Sequence, residues 1–124
     1  MGRFMQCVAA LWGATATQKG ALWWASHHRI HHRKSDTTDD PHNSREGFLH
    51  AHWLWFLYEE SIETDMDQIP ELVRFPELRL IDRFWYVPPV AFGCALFIMG
   101  GWHWVVWGYF VSTFLLSNAT YTIN

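Results

Sequence analysis

The chain has 124 residues, half of them apolar, with nine tryptophans, nine phenylalanines and a formal net charge of −3. That length allows one domain at most, and the mild charge argues against a nucleic-acid partner. All twelve acidic residues lie between Asp36 and Asp82, and no Asp, Glu, Lys or Arg follows Arg83, which excludes an ordinary soluble fold whose elements each need a wet face.

The pattern points to an all-α membrane protein with one charged, water-facing helical segment. Residues 4–25 are mostly apolar, with Lys19 their only charge, and predict a transmembrane helix. Met1-Gly2 opens like a myristoylation site, but Gln6 stands where Ser or Thr is required. The run after Phe4 is a poor signal peptide, with Arg3 as its only basic start. Residues 26–83 form the charged segment. Within it, GFLHAHWLWFLY at 47–58 is aromatic and too short to cross, which suits an interfacial helix. Pro70 and Pro76 punctuate a stretch with apolar residues at roughly helical spacing.

Residues 84–119 predict a transmembrane helical hairpin. Pro88-Pro89 fit a first helical turn, and Gly100-Gly101 divide the run into halves of about spanning length. Both apolar regions abut the same charged segment. Its basic flanks, Arg29, Arg33, Lys34, Arg79 and Arg83, favour the cytoplasmic side of a multi-pass integral membrane protein. Cys7 and Cys94 lie in apolar stretches and read as small hydrophobes rather than a disulfide.

Seven of the eight histidines fall between His27 and His52. His28, His31 and His32 have the spacing of one helix face, whereas His27 points about a hundred degrees away. Three neutral imidazoles on one face give most of a ligand set. Spacing alone leaves iron, copper and zinc open, as it leaves open a merely solvated histidine surface. His42 in the DPHN turn reads as a turn former, His50 and His52 as interfacial, and His103 as remote from any metal. Glu59, Glu60, Glu63, Asp65 and Asp67 read as a solvated face, and no Glu stands three residues before a His as carboxylate di-iron bundles require.

The stretch QKGALWWASHHRIHHRKSD at 18–36 resembles the second histidine box of the acyl-CoA (delta-nine type) desaturases. DPHNSREGF at 40–48, His52-Trp53, Glu77-Leu78-Arg79, Pro88-Pro89 with the hairpin, and Asn118-Ala119-Thr120 with Asn124 are similar to the segments downstream of that box in the same family. The resemblance implies four transmembrane helices and a cytosolic cap holding two irons. It implies that His28, His31 and His32 are iron ligands, that Asn124 reaches an iron through water, and that Gln18 and Trp24 lie close to the acyl tunnel. Trp23 is a further candidate wall residue. It implies no catalytic residue outside the metal site. The family's first box, HxxxxH, has no counterpart before His27, and its HNxHH-like box would come after Asn124. An internal fragment is therefore expected, unable to desaturate anything alone.

Removing two hydrogens from an unactivated acyl chain needs an oxidant that side chains cannot supply. The implied reaction is oxygen-dependent insertion of a double bond, with O2 and an electron-donor protein as partners. Ser26-His27 stand where animal members carry a basic–acidic pair, which leaves a fatty acyl thioester or a lipid-linked acyl chain as substrate. The alternatives are a related histidine-rich hydroxylase and a non-catalytic truncated membrane fragment.

Overall fold

The computed structural model describes residues 2–35, 37–40, 43–58 and 61–123, and no strand occurs among them. Its helices are α1 (Arg3–Ala14), α2 (Ala21–Lys34), α3 (Pro70–Val73), α4 (Pro76–Arg83), α5 (Val87–Val105) and α6 (Ser112–Ile123). Three of them, α3, α4 and α5, carry proline in the first turn, where the missing N–H costs no helical bond.

Residues 4–25 do not form one helix, which corrects the single expected element. The helical path ends at Ala14 and restarts at Ala21. Between them Thr17 (φ 60°) and Lys19 (φ 59°) occupy the left-handed region, which only firm contacts sustain in residues other than glycine. Thr17 Oγ1 shares a 2.5 Å hydrogen bond with the Tyr109 hydroxyl, and Gln18 Nε2 donates to Ser117 Oγ at 3.0 Å. Lys19 Nζ donates to the Ile62 carbonyl at 3.2 Å and lies 4.5 Å from the centre of the Trp23 ring. At 12 residues α1 is roughly 18 Å long, shorter than the ~30 Å hydrocarbon core of a bilayer.

The core joins α1, α2 and α4 through Ala10, Ala14, Leu22, Leu78 and Ile81, with Ile69 from the segment before α3. Small residues on α1 let the other two helices approach it. Arg3 adds a two-pronged ion pair with Glu77 of α4, at 2.5 and 2.8 Å. Arg29 of α2 pairs with Glu71 and donates to the Gln68 carbonyl at 2.9 Å. Within residues 47–58, expected as an interfacial helix, residues 48–57 are helical, passing from a π-helical stretch at His50–Leu54 into a 3-10 turn at Trp55–Leu57.

The hairpin turns at Gly100 (φ −150°) and Gly101 (φ 62°, ψ −158°), a geometry that breaks the helical path inside α5. A Cβ on Gly100 would overlap the Trp104 indole. The returning arm, through a wide turn at Val106–Val111 into α6, lies against the outgoing one. Phe92 meets Tyr109 edge to face at 5.7 Å, and a Cβ on Gly93 would lie 3.9 Å from the Tyr109 ring. The run Val87–Thr120, of mean hydropathy 1.5, is long and apolar enough to cross a membrane. It leaves Ile98, Met99, Trp102, Phe110 and Leu116 bare on its surface.

Candidate metal centre and acyl cavity

Helix α2 presents the histidines. His28 and His32, one turn apart, bring their Nε2 atoms within 2.9 Å, so that one donates and the other accepts. His31 lies beside both, with ring centres 6.4 Å from His28 and 5.6 Å from His32. Trp24 stacks on His28 at 4.2 Å. Burial, then the neighbouring His32 and His31, push the His28 imidazole below its ordinary pKa, towards the neutral form that a metal requires.

His31 has the most specific environment of the three. It is buried, and its Nδ1–H is aimed at both carboxylate oxygens of buried Asp40, each 3.0 Å away. A histidine braced by a carboxylate at Nδ1 has its tautomer and ring orientation fixed and Nε2 directed outward, as metal-bound histidines do. His27 faces elsewhere. Its Nδ1 donates to the Trp23 carbonyl at 2.9 Å, and its ring lies 4.4 Å from Trp23 and 6.0 Å from Trp55. Burial lowers its pKa, so it is a neutral core histidine.

The donor chemistry suits iron, as it suits copper and zinc, since imidazole ligates all three and Asp40 orients one ring. The geometry is that of a partial set: among the described residues no three His, Cys, Asp or Glu side chains close on a common point to hold an ion. Asn124 and His42 lie outside the described residues, as do Glu59 and Glu60. His50 faces Glu46 at 3.4 Å, His52 donates to the Phe48 carbonyl at 3.0 Å, and His103 stands exposed beside the hairpin turn. Glu63 and Asp67 are exposed, in keeping with a solvated face.

An apolar cavity of about 460 Å³ opens beside α2, lined by Gln18, Trp23, Trp53, Trp85, Phe114 and Asn118 among others. Trp53 Nε1 donates to Asn118 Oδ1 at 2.9 Å across it. Of the three expected wall residues, Gln18 and Trp23 meet here. Trp24 points to a second cavity of about 420 Å³, between α1 and α2, where Gln18 also reaches. Sequence reasoning did not bring Asp40 to the histidine face, nor Trp53 and Asn118 to the cavity wall. The helix spacing that found the histidines carries no information on a loop acid or on an aromatic contributed sixty-five residues away from its partner.

Comparison with known proteins bears on the chemistry this face serves. Over 123 residues, 98% of its length, the chain is 31% identical to the sn-1 stearoyl-lipid 9-desaturase of Anabaena variabilis. It is 32% identical over 127 residues to the sn-2 palmitoyl-lipid 9-desaturase of Nostoc sp., again across 98% of the chain. The chain is a relative of the fatty-acyl desaturases. It is also 30% identical over 129 residues to acyl-CoA desaturase 1 of Saccharomyces cerevisiae, across 93% of its length. The matched stretch is 45% of each cyanobacterial desaturase and 24% of the yeast one, so the chain spans under half the length of these curated relatives. No family model matches the chain, and no solved structure matches it.

Proposed function

We propose that the chain forms part of the catalytic core of a fatty-acyl desaturase, an oxidoreductase that inserts a double bond into an acyl chain of lipid metabolism. The observation that carries the reading is the α2 face: His28, His31 and His32 together, His31 braced by Asp40, on a desaturase-like sequence. In this reading the three imidazoles are iron ligands and Asn124 reaches an iron through water. Iron, when bound with O2, supplies the oxidant that an unactivated chain requires.

The chain's own residues bind, orient and exclude water. Gln18, Trp23 and Trp24 wall the acyl chain, and the tryptophan-rich lining of the larger cavity keeps it dry. The hairpin, with its bare apolar surface, lies in the bilayer, and the charged residues of 26–83 face the cytoplasm. Cyanobacterial relatives named for lipid-linked substrates favour a lipid-linked acyl chain, while the yeast relative keeps a thioester in view. An electron-donor protein completes the reaction.

The test is a chimera. This chain replaces the matched stretch of the Anabaena desaturase, in a host unable to make unsaturated fatty acids and supplied with an electron donor. New monounsaturated lipid that disappears with His28→Ala, His31→Ala or His32→Ala supports the reading. A chimera that makes none while the parent enzyme does, or one that yields hydroxylated chains, refutes it.

A further inference from the structure

The carboxylate of Asp82, in the last turn of α4, is spent on a helix sixty residues upstream. Its Oδ1 accepts from the backbone N–H groups of both Leu22 and Trp23 at 3.0 Å, and its Oδ2 accepts from Thr64 Oγ1 at 3.3 Å. Those two amides belong to the first turn of α2, whose N–H groups have no partner inside the helix. The residue before α2 is Gly20, which has no side chain to cap with, and α2 has no acid in its own first turn. An acid at this end also complements the helix dipole, whose other end carries His31, His32, Arg33 and Lys34.

Gly20 makes this borrowed cap sterically feasible. A Cβ there would lie 2.6 Å from the Asp82 Cα and would overlap its carboxylate. Two backbones thus meet at one point, and the packing of Leu22 against Leu78 and Ile81 closes around it. We propose that Asp82 is a positioning residue for the histidine face: by fixing the start of α2 against α4, it sets the rotation and height at which His28, His31 and His32 are presented. This inference rests on the metal reading proposed above.

The leverage comes from helix geometry. His31 lies nine residues beyond Leu22, roughly 14 Å along a rigid rod, and a slip of one residue at the start turns every imidazole by about a hundred degrees. Asp40 then fixes the far end of the same rod through His31. The histidine face is held at both ends by carboxylates from other segments.

The experiment uses the whole chain in detergent micelles, with cobalt(II) as a visible probe in place of iron. Asp82→Asn keeps the acceptor oxygen and is expected to bind cobalt within about threefold of the unaltered chain. Asp82→Ala and Gly20→Ala are expected to bind it ten- to a hundredfold more weakly, the range for losing an orienting partner outside the ligand set. Amide exchange at Leu22 and Trp23, read without metal, should quicken in Asp82→Ala and stay slow in Asp82→Asn. Unaltered cobalt affinity in Asp82→Ala, or equal losses in Asp82→Asn and Asp82→Ala, would overturn the inference. If Asp82→Ala loses its helical signal altogether, the Asp82→Asn result decides. If the unaltered chain, with its partial ligand set, binds no cobalt, amide exchange alone decides: slow exchange at Leu22 and Trp23 in Asp82→Ala would overturn the positioning role, and the chimera tests the metal reading separately.

Discussion

Replacing Asp40 by alanine should do disproportionate damage for a loop residue. Its side chain is 1% exposed and that of His31 is 8% exposed, so the pair is almost dry. Without the carboxylate, a buried Nδ1–H loses the acceptor seen at 3.0 Å, a loss of about 1–3 kcal/mol of stability. The same loss removes one of the contacts that orient the imidazole. Orienting partners of metal-bound histidines are worth ten- to a hundredfold in metal affinity, or about 1.4–2.7 kcal/mol. The neighbouring Asp39 supplies the control. It pairs with Lys34 at 2.9 Å, but their side chains are 65% and 51% exposed, and such a pair contributes ~0–1 kcal/mol. Asp40→Asn, which retains an acceptor but not the charge, should fall between. The assay is denaturant titration in detergent followed by tryptophan fluorescence, with a cobalt titration of each variant. Asp40→Ala that matches Asp39→Ala in both measurements would refute the bracing role.

Leu22→Ala removes a fully buried side chain from the α1–α2–α4 core and should cost about 3 kcal/mol in the same titration, whereas Leu80→Ala, 60% exposed on α4, should cost less than about 1. Gly100→Ala should open the hairpin, because its methyl group overlaps Trp104. Spin labels at residues 90 and 110 in a cysteine-free background would report a wider separation between the arms, and an unchanged distance would contradict the packing. Arg3 holds the Glu77 carboxyl down to about 2, so the pair contributes stability above the ordinary glutamate range and loses it as pH falls towards 2. Glu77→Gln should flatten that part of the acid-unfolding curve, and identical curves from pH 5 to 2 would show the pair to be inert. Thr17→Val should free the linker from Tyr109 and speed amide exchange across residues 15–20, leaving the exchange of α4 unchanged.

The histidine face is legible because a helix repeats every three to four residues and His28, His31 and His32 fall on that grid. The same grid separates Trp23 from Trp24: adjacent helical residues diverge by about a hundred degrees, and the two rings line different cavities. The break at Gly100-Gly101 is legible because glycine reaches the left-handed region without strain. The break at residues 15–20 is not, because Thr17 and Lys19 adopt that region only under contacts with Tyr109, Ser61 and Ile62, and no local signal encodes them. The contact roles of Asp40, though it lies in the DPHN turn, and of Asp82 are not legible in sequence. Each looks like one more member of a solvated acidic run, and only the folded path turns it towards an imidazole or a helix end.

The linker between α1 and α2 also has a bearing on the order in which the molecule is made. Thr17 and Gln18 leave the ribosome well before their partners Tyr109 and Ser117, which come 92 and 99 residues later. Until the second arm of the hairpin has been synthesised and has docked, nothing from that arm compensates the left-handed backbone of Thr17. Contacts so distant in sequence form late. The 15–20 linker is thus settled only after the second hairpin arm is made, and a nascent chain stalled between residues 83 and 109 would carry α1, α2 and α4 packed together with the linker between the first two still loose.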